Sequence, residues 1–78
     1  MITSPSNPRL RLVRRLASRR QRDRTGLFSC EGEDLIAAAL AAGLEPVHLL
    51  LDGERPVEGL SGGVLVEPRL LADVSALG

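Results

Sequence analysis

Hydrophobic positions near the start of the chain recur with the period of a helix. With successive residues about 100° apart, the apolar side chains between Pro8 and Arg22 fall within one arc of roughly 160°. They are Leu10, Leu12, Val13, Leu16 and Ala17. Proline is tolerated at the first helical position because its missing N–H would have no partner there, and Asn7 before it is a good cap. The pattern predicts one amphipathic helix over residues 8–22, with its apolar side against a core.

Three short apolar runs after this helix are typical of buried strands. They are Leu27–Cys30, Pro46–Leu51 and Val64–Val66. Gly32 follows the first run, and its conformational freedom suits a tight turn into a helix. Glu54–Gly63 contains one proline, three glycines and two glutamates, and we interpret it as a surface loop.

Two further helices are predicted among these strands. Leu35–Ala42 is apolar on every side, so we expect a short and largely buried helix with Gly43 at its C′ position. Pro68 opens the last helix, whose apolar residues are Leu70, Leu71, Val74 and Leu77. Apolar strands separated by helices favour an α/β fold, here a small three-layer α/β/α sandwich with a short, mostly parallel sheet.

The zero net charge of the 78-residue chain conceals two segments of opposite charge. Residues 1–24 hold eight arginines and one acid, a net charge of +7, whereas residues 25–78 hold two arginines and nine acids, a net charge of −7. We therefore divide this single domain into a basic lead-in and helix (1–24) and an acidic α/β body (25–78). Such a split is typical of a basic arm that meets a polyanion.

Arginines gather on the polar side of the first helix. Five of them share an arc of roughly 140°: Arg11, Arg14, Arg15, Arg19 and Arg22. No acid precedes Asp23, although like charges at helical spacings destabilise a helix and a structural surface gains from mixed signs. The pattern favours nucleic-acid binding through phosphate contact over a merely solvated helix face. Phe28, the sole aromatic residue, is expected in the core, which favours shape recognition of folded RNA over base stacking.

No catalytic or metal site is predicted. A lone Cys and a lone His exclude an internal disulfide and a structural zinc site. We expect Cys30 to be a small buried hydrophobe, and His48 to be a core or edge residue. The longest apolar stretch, Leu35–Ala42, is far shorter than the ~20 residues that span a bilayer. The first residues are polar, so no secretory signal is indicated and a cytoplasmic location is expected.

An ordered set of motifs resembles one known domain. Ile2–Ser4 and Asn7–Arg9 precede the arginine-rich helix, and Phe28–Gly32 precedes the apolar helix. Together they are similar to the N-terminal substrate-binding domain of the SpoU/TrmH family of RNA 2′-O-ribose methyltransferases, over nearly the whole chain to Leu71–Ser75. The resemblance implies a ribosomal-protein-like α/β/α unit that docks on folded ribosomal or transfer RNA. The short Asp52–Gly63 connection, where relatives often have another helix, implies a trimmed sheet.

Charge and resemblance together assign RNA contact to arginines of the basic segment and to one amide. These residues are Arg9, Arg11, Arg14, Arg15, Arg19, Arg22, Arg24 and Asn7, although the simplest role for Asn7 is a helix cap. In the family, S-adenosylmethionine binding, catalysis and homodimerisation belong to a knotted catalytic domain, whose motifs this sequence lacks. We therefore expect this chain to hold no cofactor and to be inactive by itself.

Two other functions stay open at this stage. A stand-alone protein-interaction module would use the same basic helix to bind an acidic protein, but it gives no reason for the ordered motifs. A membrane-surface helix would use basic and apolar faces together. The apolar face here lacks Trp and Phe and is needed for the core, so no membrane partner is expected.

Overall fold

The computed structural model describes residues 1–55 and 62–75, and within these ranges it has four helices and two strands. In chain order these are α1 (Pro8–Arg15), α2 (Arg19–Thr25), α3 (Glu33–Ala41), β1 (Leu50–Asp52), β2 (Val64–Val66) and α4 (Pro68–Ser75). The strands pair in parallel, with Leu50 opposite Val64 and Asp52 opposite Val66. The predicted α/β class and parallel sheet are confirmed, as are the strand at Val64–Val66 and the helix that Pro68 opens.

β2 has a neighbour along each edge. On one edge it pairs with β1, and the N–H of Gly53 extends this pairing by donating to the carbonyl of Val66 at 2.8 Å. On the other edge Ile2 forms a parallel bridge to Val66: its N–H donates to Leu65 O at 2.8 Å, and its carbonyl accepts from Glu67 N at 2.9 Å. The segment that leads into α1 is therefore held directly by the sheet.

The core joins α1, the sheet and α4. Leu10 of α1 and Val66 of β2 are fully buried, and they cluster with Ile2, Leu70 and Val74. Each such side chain contributes about 1.5–3 kcal/mol when it is fully buried. The apolar side of the first helix thus lies against the core as predicted, which leaves its other side for solvent.

The single helix predicted over residues 8–22 is wrong, because the chain forms two helices there. α1 ends at Arg15, and the N–H groups of Ala17 and Ser18 donate to carbonyls three residues back, each at 3.2 Å. Ser18 is extended and stands at the N-cap position of α2. Serine is favoured at such positions over helix interiors, and the break separates Arg15 from Arg19, like charges that an unbroken helix would place at i,i+4.

The segment between α2 and β1 is more exposed than predicted. Leu27–Cys30 is not a strand, and Phe28 is 59% exposed rather than in the core. Only the end of the second predicted strand forms, as β1, and no residue of α3 is buried. The three-residue β1 is about 10 Å long and α3 about 13 Å, so the small sheet offers too little surface to cover this helix. An open cleft of about 1050 Å³ results, lined by apolar residues that include Leu16, Ile36 and Leu50.

The turns around α3 form as predicted. Gly32, at its N-cap, and Gly43, after its C-cap, both have positive φ, at 97° and 85°. The N–H of Gly43 donates to Leu40 O and that of Leu44 to Ala39 O, the pair of bonds that ends a helix at a left-handed glycine. Most of the predicted loop Glu54–Gly63, and also Leu77, lie outside the described residues.

Replacing Leu10 with alanine should lower the free energy of unfolding by about 2–5 kcal/mol, because it removes fully buried methyl groups and leaves a cavity. Urea denaturation monitored by circular dichroism measures this change. Leu35→Ala on α3 is the matched control, since Leu35 is 59% exposed and its loss should cost less than about 0.5 kcal/mol. Equal losses for the two variants would show that α3 is packed after all.

Candidate nucleic-acid interface

Asn7 fixes the start of α1. Its Oδ1 accepts from the N–H of Arg9 at 2.9 Å, and Pro8 occupies the first helical position. The N–H of Asn7 in turn donates to Ser4 O at 3.2 Å, so a turn in the lead-in segment continues into the cap. The predicted capping role is confirmed, and it sets where the first arginines of α1 emerge.

Arg14 and Arg22 are bonded to backbone carbonyls. Nη1 of Arg14 donates to Pro5 O at 2.6 Å, which ties α1 to the lead-in segment. Nη1 of Arg22 donates to both Leu16 O and Ala17 O, at 2.9 and 3.0 Å. Both side chains are half-buried. Because a carbonyl acceptor carries no net charge, these bonds fix the guanidinium groups and leave their positive charge uncompensated.

Arg19 has the only ion pair that an arginine of α1 or α2 makes in the described part of the chain. It lies 4.0 Å from Asp23, one helical turn further on, and both side chains are exposed. An exposed pair of this type contributes about 0.3–0.5 kcal/mol and is screened by salt. No carboxylate of the acidic body contacts these arginines within residues 1–55 and 62–75.

The other five arginines have no hydrogen-bond or ion-pair partner among the described residues: Arg9, Arg11, Arg15, Arg20 and Arg24. All except Arg9 are exposed. Arg11–Arg15 and Arg20–Arg24 are i,i+4 pairs, so each pair shares one face of its helix. We call the eight arginines of α1 and α2 the arginine surface.

Sequence periodicity did not assign Arg20 to this surface. In an unbroken helix it would fall on the apolar side, but the break at Leu16–Ser18 changes the angular register, and Arg20 is exposed. The sequence feature that could have indicated its place on this surface is its i,i+4 spacing from Arg24. On α1, Pro8 and Leu12 lie beside Arg11 and Arg15 around a shallow depression of about 240 Å³.

Groups with catalytic potential are dispersed over the rest of the molecule. Cys30 and His48 are both exposed, so the predicted burial of the thiol and a core position for the imidazole are wrong. No cluster of three or more His, Cys, Asp or Glu side chains able to hold a metal ion occurs among the described residues. Helices in that same part of the chain are all too short or too polar to cross a membrane.

Comparison with known proteins identifies the domain type. The chain matches the family model of the MRM3-like substrate binding domain over residues 7–75, from the Asn7 cap to the end of α4. No curated protein and no solved structure matches it. The family match confirms the resemblance to the substrate-binding domain of SpoU/TrmH-type methyltransferases that the ordered motifs indicated.

Asn7→Ala should lower the free energy of unfolding by about 0.5–2 kcal/mol, because it leaves the N–H of Arg9 without its acceptor. Asn7→Ser, which keeps a capping oxygen, should restore most of that loss in the same urea titration. A value for Asn7→Ala equal to that of the natural chain would contradict the capping role. The serine variant also separates the two roles considered for Asn7, since it keeps a cap and removes the amide.

Proposed function

Because the chain belongs to the family of MRM3-like substrate-binding domains, we propose that it binds folded RNA through the arginine surface of α1 and α2. The observation that carries this proposal is the concentration of eight arginines on two short helices, with one weak ion pair among them in residues 1–55 and 62–75. A surface that served stability only would pair these charges with the nine acids of the body. Uncompensated guanidinium groups instead suit the phosphates of a nucleic acid.

Folded RNA is favoured over single strands by the scarcity of aromatic residues. Proteins that bind single strands stack successive bases on several aromatic side chains, whereas duplex RNA is bound mainly by its shape and its phosphates. Phe28 is exposed, contrary to the sequence prediction, so it is accessible to one base at most. One ring does not form a stacking platform, whereas α1 and α2 together contain eight arginines.

The role we propose for this domain is positioning. It would hold ribosomal or transfer RNA so that a ribose 2′-hydroxyl reaches a catalytic domain of the SpoU/TrmH type, which would bind S-adenosylmethionine and dimerise. We assign the methyl transfer, the cofactor and the dimer contact to that domain, and only RNA docking to the residues described here. A cytoplasmic location also remains a prediction from the sequence.

Phosphate binding by the five arginines without an intramolecular partner in the described ranges should make RNA affinity strongly salt-dependent. The logarithm of the association constant should fall against the logarithm of salt concentration with a slope of roughly −3.5 to −4.5, because each contact releases about 0.7–0.9 counterions. Fluorescence anisotropy with a labelled RNA hairpin measures this slope.

The same titration tests the alternative of an acidic protein partner. Polyglutamate of matched charge should displace the hairpin only weakly if the surface is built for RNA. A slope near zero, or no hairpin binding at low salt, would rule out the proposed function. Equal displacement by polyglutamate and by unlabelled hairpin would favour the protein-interaction module instead.

A further inference from the structure

The arginines of the arginine surface differ in their partners: two donate to main-chain carbonyls, one pairs with Asp23, and five have no partner among the described residues. Resting on the proposed RNA-binding function, we infer that Arg22 is a positioning residue that fixes the turn between α1 and α2. It thereby sets the relative placement of two phosphate-binding pairs, Arg11–Arg15 and Arg20–Arg24. This arrangement would make the domain select RNA by the geometry of its backbone.

Arg22 braces the turn from the α2 side. Arg22 Nη1, placed on α2, donates to Leu16 O at the C-cap of α1 and to Ala17 O in the turn that follows. A cation near a helix C-terminus also interacts favourably with the helix dipole. With its side chain half-buried and one nitrogen shared between Leu16 O and Ala17 O, Arg22 is less available to a phosphate than its exposed neighbours.

The Arg11–Arg15 and Arg20–Arg24 pairs, unlike Arg22, are placed and exposed so that they can contact phosphates. In each pair the arginines are four residues apart on one helix, so their guanidinium groups project from the same face. All four side chains are exposed and have no intramolecular partner in the described part. Arg11 and Arg15 flank the depression beside Pro8, where a phosphate oxygen can approach both guanidinium forks.

Because the turn is fixed, the two phosphate-binding pairs together can select an RNA by the shape of its backbone. If α1 and α2 were free to pivot, both pairs could follow the phosphates of any flexible strand. With the turn braced, both pairs engage only a backbone whose phosphates are suitably placed, as in a rigid RNA helix. Loss of the brace should therefore reduce the preference for structured RNA and leave the number of phosphate contacts unchanged.

Arg22→Met is the decisive variant, because it keeps the apolar stem and removes the donors. The probes are a labelled RNA hairpin and an unstructured oligouridylate of equal length, each titrated with the 78-residue chain. We expect Arg22→Met to weaken hairpin binding about tenfold, as for a lost charge-assisted hydrogen bond, with little change for oligouridylate. Arg69→Met on α4 removes the same charge from an exposed site and should leave the ratio of the two affinities unchanged.

Further variants make each outcome decisive. Arg22→Lys, whose ammonium can also donate to two carbonyls, should restore the preference for the hairpin. Arg11→Gln/Arg15→Gln and Arg20→Gln/Arg24→Gln should each make the salt slope shallower by about 1.4–1.8, since each removes two phosphate contacts. These double variants test the phosphate pairs even if Arg22→Met loses its helical circular dichroism signal.

Two results would overturn the inference while leaving the proposed function intact. One is an equal loss of affinity for both RNAs in Arg22→Met with a slope shallower by about 0.7–0.9, which would make Arg22 a phosphate ligand. The other is an unchanged salt slope in either double variant. If the natural chain binds neither RNA at low salt, the proposed function fails as well.

Discussion

The packing of Leu10 of α1 into one core cluster with Val66 of β2 and with α4 is the constraint on which the rest of the molecule depends. Both side chains are fully buried, and Ile2, paired along β2, brings the lead-in segment to the same core. Because the apolar side of α1 is held here, its charged side faces solvent. The position of the α1 arginines thus follows from packing of uncharged groups, and no carboxylate of the body contacts the arginine surface in the described residues.

The hydrogen bonds that order the arginine-rich segment are accepted by uncharged oxygen atoms. Arg14 and Arg22 are fixed by main-chain carbonyls, and the Asn7 side chain caps α1 with an amide oxygen. Had carboxylates served these purposes, the segment would be equally well ordered but its charge would be cancelled. Because the acceptors are uncharged, residues 1–24 have a defined geometry and also keep a net charge of +7.

Local patterns in the sequence predicted the features that depend on local physics. The Asn7 cap, the left-handed Gly43, the strand at Val64–Val66 and the apolar face of α1 form where they were predicted. These features depend on a few neighbouring residues or on a periodicity that burial enforces. The family match over residues 7–75 agrees with the order of the same motifs.

Features that depend on distant parts of the chain were not predictable in the same way. The exposure of α3 and Phe28 reflects how little sheet is available to cover them, and composition gives no measure of that area. The break at Leu16–Ser18 interrupts the angular register of a single helix, so the periodicity did not include Arg20 in the arginine face. The hydrogen bonds that Arg14 and Arg22 donate to main-chain carbonyls cannot be predicted from a charge pattern.

The chemistry of the guanidinium group has a consequence for how the arginine surface can be modified. Every cation of α1 and α2 is an arginine, and neither helix contains a lysine. Acetylation of lysine removes a positive charge, whereas methylation of arginine keeps the charge and blocks bidentate hydrogen bonding. Arginine methylation of these helices should therefore change how they bond to phosphate while their net charge stays the same.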